Sequence, residues 1–154
     1  MNDETAGQGE FSRLVGTLIR SLSLLDRDQK VCCGVTVSQC YTVETLAQRG
    51  TLSMNKLSEE MGVAISTMTR VVDILVRDGV VARKGGREDR RRVYVQLTDK
   101  GAQLALRLRS CADEYGKLIL CQVPPEERRS VLKALSLLND AINRVRRGDC
   151  VCSA

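Results

Sequence analysis

Two sets of side chains in this sequence can do chemistry. The first is a run of cations: between Arg83 and Arg92 stand Arg83, Lys84, Arg87, Arg90, Arg91 and Arg92, opposed only by Glu88 and Asp89. It is the strongest local positive field in the chain, and guanidinium groups at this density suit a polyanion, because each one offers forked N–H donors that match phosphate oxygens. The second set is the thiols Cys32, Cys33, Cys40, Cys111, Cys121, Cys150 and Cys152. Thiolates are soft ligands that select soft ions, trivalent arsenic and antimony among them, and neighbouring thiols also oxidise to disulfides. The sequence contains no histidine. That removes the most useful general base for an enzyme and the commonest ligand of a structural zinc, and there is no repeated Cys-x-x-Cys to replace it.

The whole chain is 154 residues with a net charge of +5, enough for one folding unit with a core or for a compact domain with helical extensions. The N-terminal MNDETAGQGEF is polar and acidic where an export signal would be basic and then apolar, and no apolar run is long enough for a bilayer. A cytoplasmic protein without a membrane partner is expected. An odd number of cysteines in a reducing compartment argues against a disulfide scaffold.

The elements that must position these groups follow from periodicity. Phe11, Leu14, Val15, Leu18, Leu22 and Leu25 recur at three- and four-residue steps, predicting a helix over about 10–26 after a loose lead at 1–9. A break at 30–34 precedes Thr36 and Gln39, spaced as a capping box, and a second helix runs toward Arg49 and Gly50. Ser53 is placed to cap a short helix bearing Leu57 and Met61, which Gly62 ends. Met68, Val71, Val72 and Leu75 make one stripe of a fourth helix that stops at Gly79. Two short helices joined at a glycine form a helix-turn-helix candidate. The period then changes to two: Val80 to Lys84, a turn at Gly85 and Gly86, and Val93, Val95 and Leu97 alternating with Tyr94 and Gln96 predict a hairpin with a basic tip. Thr98 caps a long helix with Leu104, Leu108, Cys111, Tyr115 and Leu118 in a seam. A last helix after Pro124 and Pro125 repeats that pattern with Val131, Leu135, Leu138, Ile142 and Val145. Narrow seams of this kind pair helices, and with one Phe, three Tyr and no Trp they favour burial against a second copy.

In a helix-turn-helix, the start of the second helix meets base edges in the major groove. Ser66, Thr67, Thr69 and Arg70 are the exposed positions there, with hydroxyls for phosphates or bases and a guanidinium that can grip guanine with two parallel bonds. The hairpin tip, Gly85 to Arg92, can reach the adjacent minor groove. Asp73 reads as a solvated surface residue, with orientation of Arg70 as the alternative.

The segment LSMNKLSEEMGVAISTMTRVVDILVRDGVVARKGGREDRRRVYVQLTDKG, residues 52–101, resembles the DNA-binding core of the multiple antibiotic resistance regulator (MarR) family. The tightest matches are LSEEMGV, STMTRVVDILVRDGVVAR and DRRRVYVQLTDKG, and a weaker resemblance covers about 10–147. It implies a mainly α fold with a small β-hairpin wing, a winged helix-turn-helix flanked by N- and C-terminal dimerisation helices. It also implies a homodimer that reads a pseudo-palindromic duplex operator and is not an enzyme. The resulting division is a flexible lead (1–9), an N-terminal dimerisation helix and loop (10–34), the winged helix-turn-helix (35–99), C-terminal dimerisation helices (100–147) and a cysteine-containing tail (148–154). By resemblance, major-groove contacts fall on Ser66, Thr67, Thr69 and Arg70 and wing contacts on Arg87, Arg90 and Arg91, while Asp89 positions a wing arginine. Arg92 adds charge beyond the family pattern.

Members of the family usually repress until a ligand or oxidant releases DNA. No cofactor is obligatory. The cysteines point to arsenic(III), antimony(III) or another soft ion as inducer, taken by a trio from Cys32, Cys33 and Cys40, or by Cys150 and Cys152 with a residue of a second chain. Cys32 and Cys33 are expected in the loop before the second helix, with Cys40 one turn inside it. Packing is the competing reading for Cys40 and for Cys111, which occupies a seam position. A redox sensor, a sensor of phenolic ligands and, in another class, a helical adaptor with a basic hairpin are the alternatives.

Overall fold

The computed structural model describes the backbone of residues 3–32, 34–85 and 93–148, and side chains over 7–24, 34–85 and 93–148. It has a mainly helical fold in which, among the described residues, nine elements follow in chain order: α1 (Asp3–Cys32), α2 (Val37–Arg49), β1 (Leu52–Ser53), α3 (Met54–Met61), α4 (Ile65–Arg77), β2 (Val81–Gly85), β3 (Val93–Leu97), α5 (Asp99–Cys121) and α6 (Arg128–Arg147). The chain forms two compact units, residues 1–112 and 113–154.

The caps anticipated from sequence define the helix-turn-helix. The Thr36 side chain accepts from the Gln39 N–H, and the Gln39 side chain accepts from the Thr36 N–H, so each residue's side-chain oxygen satisfies the other's backbone amide at the start of α2. Ser53 accepts from the Lys56 N–H to start α3, and Gly62 closes α3 in the left-handed conformation at φ 64°. Between these stops the apolar stripes turn inward. Cys40, Val43 and Leu46 of α2, Leu57 of α3, and Met68, Val72 and Leu75 of α4 bury one core with Val80, Val81 and Val95 of the sheet and Leu104, Ala105 and Leu108 of α5.

The sheet has three antiparallel strands in the order β1-β3-β2. Val81 pairs with Leu97, Arg83 with Val95 and Gly85 with Val93 in the hairpin, while Leu52 and Ser53 pair with Val95 and Tyr94. The third strand, β1, is not foreshadowed by the sequence: two residues are too few to show an alternating pattern.

Where α5 begins, the backbone of one element lies against another. Thr98 donates its hydroxyl to the Gly79 carbonyl at 2.7 Å and accepts the Gly101 N–H at 3.1 Å, while its own N–H donates to the Val80 carbonyl at 3.1 Å. Lys100 Nζ donates to the Asp78 carbonyl at 2.7 Å. The first turn of α5 is thereby bonded to the turn that ends α4.

Two expectations about the N-terminal region are corrected. In place of a loose lead over 1–9, α1 is helical from Asp3, and the helix continues through Cys32, which therefore does not lie in a loop. Both extensions are polar and carry no apolar period, but Glu, Gln, Ala, Arg and Lys are good helix formers, and an existing helix grows by one backbone bond per residue. Phe11, Leu14, Leu18, Ile19 and Leu22 of α1 remain exposed within their unit. In the other unit, Arg128 Nε donates to the Val123 carbonyl at 3.0 Å across the turn into α6, and α6 buries no residue, leaving Leu132, Leu135, Leu137, Ile142 and Val145 exposed. Among the described residues, no helix is long and apolar enough to cross a membrane.

Candidate nucleic-acid interface

The start of α4 differs from the starts of α2 and α3. Its N-cap is Ala64, which has no side-chain oxygen to take an amide, so the first-turn N–H groups have no side-chain partner. An uncapped N-terminus of this kind is a ready anion site, because the free donors and the helix dipole both favour negative charge. Around it Ser66, Thr67 and Arg70 are exposed, and among the described residues none of them has a protein partner. The opposite face of the helix buries Met68, Val72 and Leu75, so the rigid core fixes which side chains point outward.

Thr69, the fourth predicted contact, is only partly exposed, and its hydroxyl donates to the Ile65 carbonyl at 2.8 Å. Its one hydrogen is thus engaged within the helix, and toward a ligand it can offer only lone pairs and its methyl group. Sequence reasoning passes over Ile65, whose side chain is 50% exposed at the first position of the helix. Periodicity alone does not reveal it, since Ile65 stands three residues before Met68 and continues the Met68, Val72 and Leu75 stripe; only its exposure in the first turn separates it from the core.

Asp73 is corrected in part. It is exposed, as expected of a surface residue, with 54% of its side chain accessible, but it is not free: its carboxylate pairs with Arg83, and not with Arg70, at 2.6 Å. This ion pair joins α4 to the wing strand β2. The two positions are ten apart in sequence, and the turn at Gly79 brings them face to face. Arg83, one of the basic run, is accordingly engaged in holding the wing strand, while Lys84 beside it is exposed. The remaining wing residues, Arg87, Asp89, Arg90, Arg91 and Arg92, lie outside the described residues.

Of the thiols, Cys33, Cys150 and Cys152 lie outside the described residues, as does the side chain of Cys32. Cys40 is 1% exposed and belongs to the core, so packing is its role in this structure. Cys111 is half-buried, and Cys121 is exposed, donating to the Leu118 carbonyl at 3.0 Å and accepting from Gln122 Nε2 at 3.3 Å. Among the described residues, no three Cys, Asp or Glu are grouped to hold a metal ion.

Comparison with known proteins bears on this geometry. Residues 35–93, from the residue before the cap of α2 to the first residue of β3, match the MarR family. The chain is 29% identical over 130 residues to the HTH-type transcriptional regulator YfiV of Bacillus subtilis, an alignment spanning 84% of this chain and 81% of that protein. Among solved structures it is similar to the transcriptional regulator PA4135, with a TM-score of 0.67 and 28% identity over 83% of this chain and 95% of that one. The fold is also that of Streptococcus pneumoniae FabT in complex with DNA, with a TM-score of 0.75 at 19% identity over 88% of this chain and 99% of that one. The first two of these are transcriptional regulators, and the matched segment is the one whose α4 and β2 carry the exposed groups described above. Residues 35–93 are thus similar to the MarR family, and the chain as a whole is similar to HTH-type transcriptional regulators with a winged-helix fold.

Proposed function

We propose that the protein is a homodimeric repressor that holds a pseudo-palindromic operator through α4 and the wing and releases it on meeting a thiol-reactive inducer. The observation that carries the DNA-reading half is the uncapped start of α4, with Ser66, Thr67 and Arg70 exposed and without partners beside it. Pairing of two copies is supported by the apolar faces of α1, α5 and α6, because exposed stripes of Leu, Ile and Val are costly to leave in water. Two copies related by a two-fold axis read two half-sites, which gives the operator its pseudo-palindromy.

Arg70→Ala is expected to weaken the specific duplex by about 1–3 kcal/mol while leaving a scrambled duplex nearly unchanged, since the bond removed is to a base. Equal weakening on both duplexes would place Arg70 on phosphate. Removing Arg90 and Arg91 together acts differently. It should weaken every duplex and reduce the slope of log K against log salt by about 2, close to one for each phosphate no longer neutralised. An unchanged slope in titrations from low to high salt would put the wing off the DNA.

The cysteine content supports a soft ion as inducer. Cys40 is drawn into the core of α2, and α2 packs on α3, α4 and β3. An ion that captured Cys40 together with Cys32 and Cys33 would have to pull that thiolate out of the core, and the helix-turn-helix would move with it. Cys150 and Cys152 with a thiol of a second copy are the other candidate set. Arsenite at low molar excess is expected to release operator DNA, with reversal by a dithiol. Release by peroxide alone would indicate dithiol oxidation instead.

One observation favours a phenolic or aromatic carboxylate ligand as the second reading. A cleft of about 580 Å3 opens between α2, β3 and α5, with Leu46, Leu97 and Leu106 for an aromatic ring and Arg109 for a carboxylate. A helical adaptor is separated from all of these readings by its lack of salt-sensitive, sequence-selective binding to duplex DNA.

A further inference from the structure

We propose that α4 selects thymine through its methyl group, with Ile65 and the γ-methyl of Thr69 as the apolar readers. The inference rests on the reading of α4 as the helix that enters the major groove. At that end of the helix the polar contacts are accounted for by Ser66, Thr67, Arg70 and the free first-turn amides. What remains exposed is apolar: Ile65 is 50% exposed, and Val63 just before the helix is 37% exposed. Neither belongs to the core, which begins one turn further along α4 with Met68, Val72 and Leu75.

Thr69 lies one turn after Ile65, on the same face. Its hydroxyl hydrogen is engaged by the Ile65 carbonyl at 2.8 Å, so it cannot donate to a base or phosphate without breaking that bond. The substituent of Cβ with no such tie is the methyl. Ile65 and Thr69 therefore place an aliphatic strip in the row beside Ser66 and Arg70. In the major groove only one base edge is complementary to such a strip, the C5-methyl of thymine; the other edges present donors and acceptors that aliphatic groups would strip of water without replacing. A half-site read by this helix accordingly contains guanine for Arg70 and thymine for Ile65 and Thr69.

The test uses the full-length protein and a duplex it selects from a randomised pool. The selected half-sites are expected to contain fixed thymines, each then replaced singly by deoxyuridine, which removes the methyl and leaves pairing intact. Affinity should fall about four-fold at each thymine in contact, the size of effect associated with one buried methyl-sized group. Ile65→Ala should abolish the uracil effect at one position. Thr69→Ser, which keeps the hydroxyl and removes the methyl, should abolish it at another, whereas Thr69→Val should retain thymine-over-uracil preference whatever its overall affinity. Selected sites without fixed thymine, or tight wild-type binding indifferent to uracil, would overturn this inference alone. Thymine-over-uracil preference kept by Thr69→Ser and lost by Thr69→Val would assign the hydroxyl in place of the methyl and overturn it for Thr69. Recovery of no enriched duplex, with no salt-dependent binding, would overturn both the inference and the reading beneath it.

Discussion

Gly101→Ala is expected to destabilise the DNA-binding unit by about 3 kcal/mol or more, the upper range for forcing atoms into a packed site. A Cβ at this position would stand 2.1 Å from the Val80 carbonyl oxygen, 3.1 Å from its carbon and 3.2 Å from Leu97 Cδ2. The obstacle is backbone, so no side chain can swing aside. Nor can the carbonyl retreat freely, because it accepts the Thr98 N–H at 3.1 Å and has the Thr98 hydroxyl at the same distance. Relief of the clash would lift the first turn of α5 from the turn that ends α4 and break the Thr98 bonds that join them. Gly116→Ala supplies the contrast. It lies in the same helix with nothing within 4 Å of its added Cβ, and there alanine should stabilise by about 0.5–1 kcal/mol through lower backbone entropy in the unfolded chain. Urea unfolding of the two variants should move the midpoint in opposite directions. A Gly101→Ala midpoint within error of wild type would show that the close approach is absent.

Leu57→Ala should cost about 2–5 kcal/mol. Leu57 is the one fully buried large side chain on α3, at 0% exposure, and the helix has only eight residues and packs against α2 and α4. Truncation removes buried apolar surface and leaves a cavity that the capped ends, Ser53 and Gly62, hinder α3 from closing. Since α3 supports α4, operator affinity should fall along with stability. A loss below about 1 kcal/mol in denaturant titration would mean that α3 is not anchored by this residue.

Much of this architecture can be read from local rules. The Thr36 and Gln39 pair, Ser53, Gly62 and Thr98 mark helix ends by chemistry that acts within three or four residues, and the structure places a cap or stop at each. The core of α4 follows from a single stripe, Met68, Val72 and Leu75. What cannot be read depends on contacts between elements or on degenerate chemistry. The Asp73–Arg83 pair needs the angle between α4 and β2, which sequence spacing does not state. The internal hydrogen bond of Thr69 depends on a rotamer, so a threonine that looks like a free hydroxyl donor has its one hydrogen already engaged. Cys40 carries two compatible readings because a thiol and a small apolar side chain obey the same periodicity, and only burial separates them. The length of α1 is underestimated from sequence because a polar helix has no apolar stripe to reveal it.

The DNA-binding role stands on α4 and the wing holding duplex DNA, and that is tested most directly by fluorescence anisotropy of the purified, reduced protein on DNA from upstream of its own coding region, titrated with salt. Tight binding that favours that duplex over a scrambled one, weakens steeply as salt rises and loses its selectivity in Arg70→Ala is the predicted result. Binding that is absent, or indifferent to salt and sequence, would contradict it.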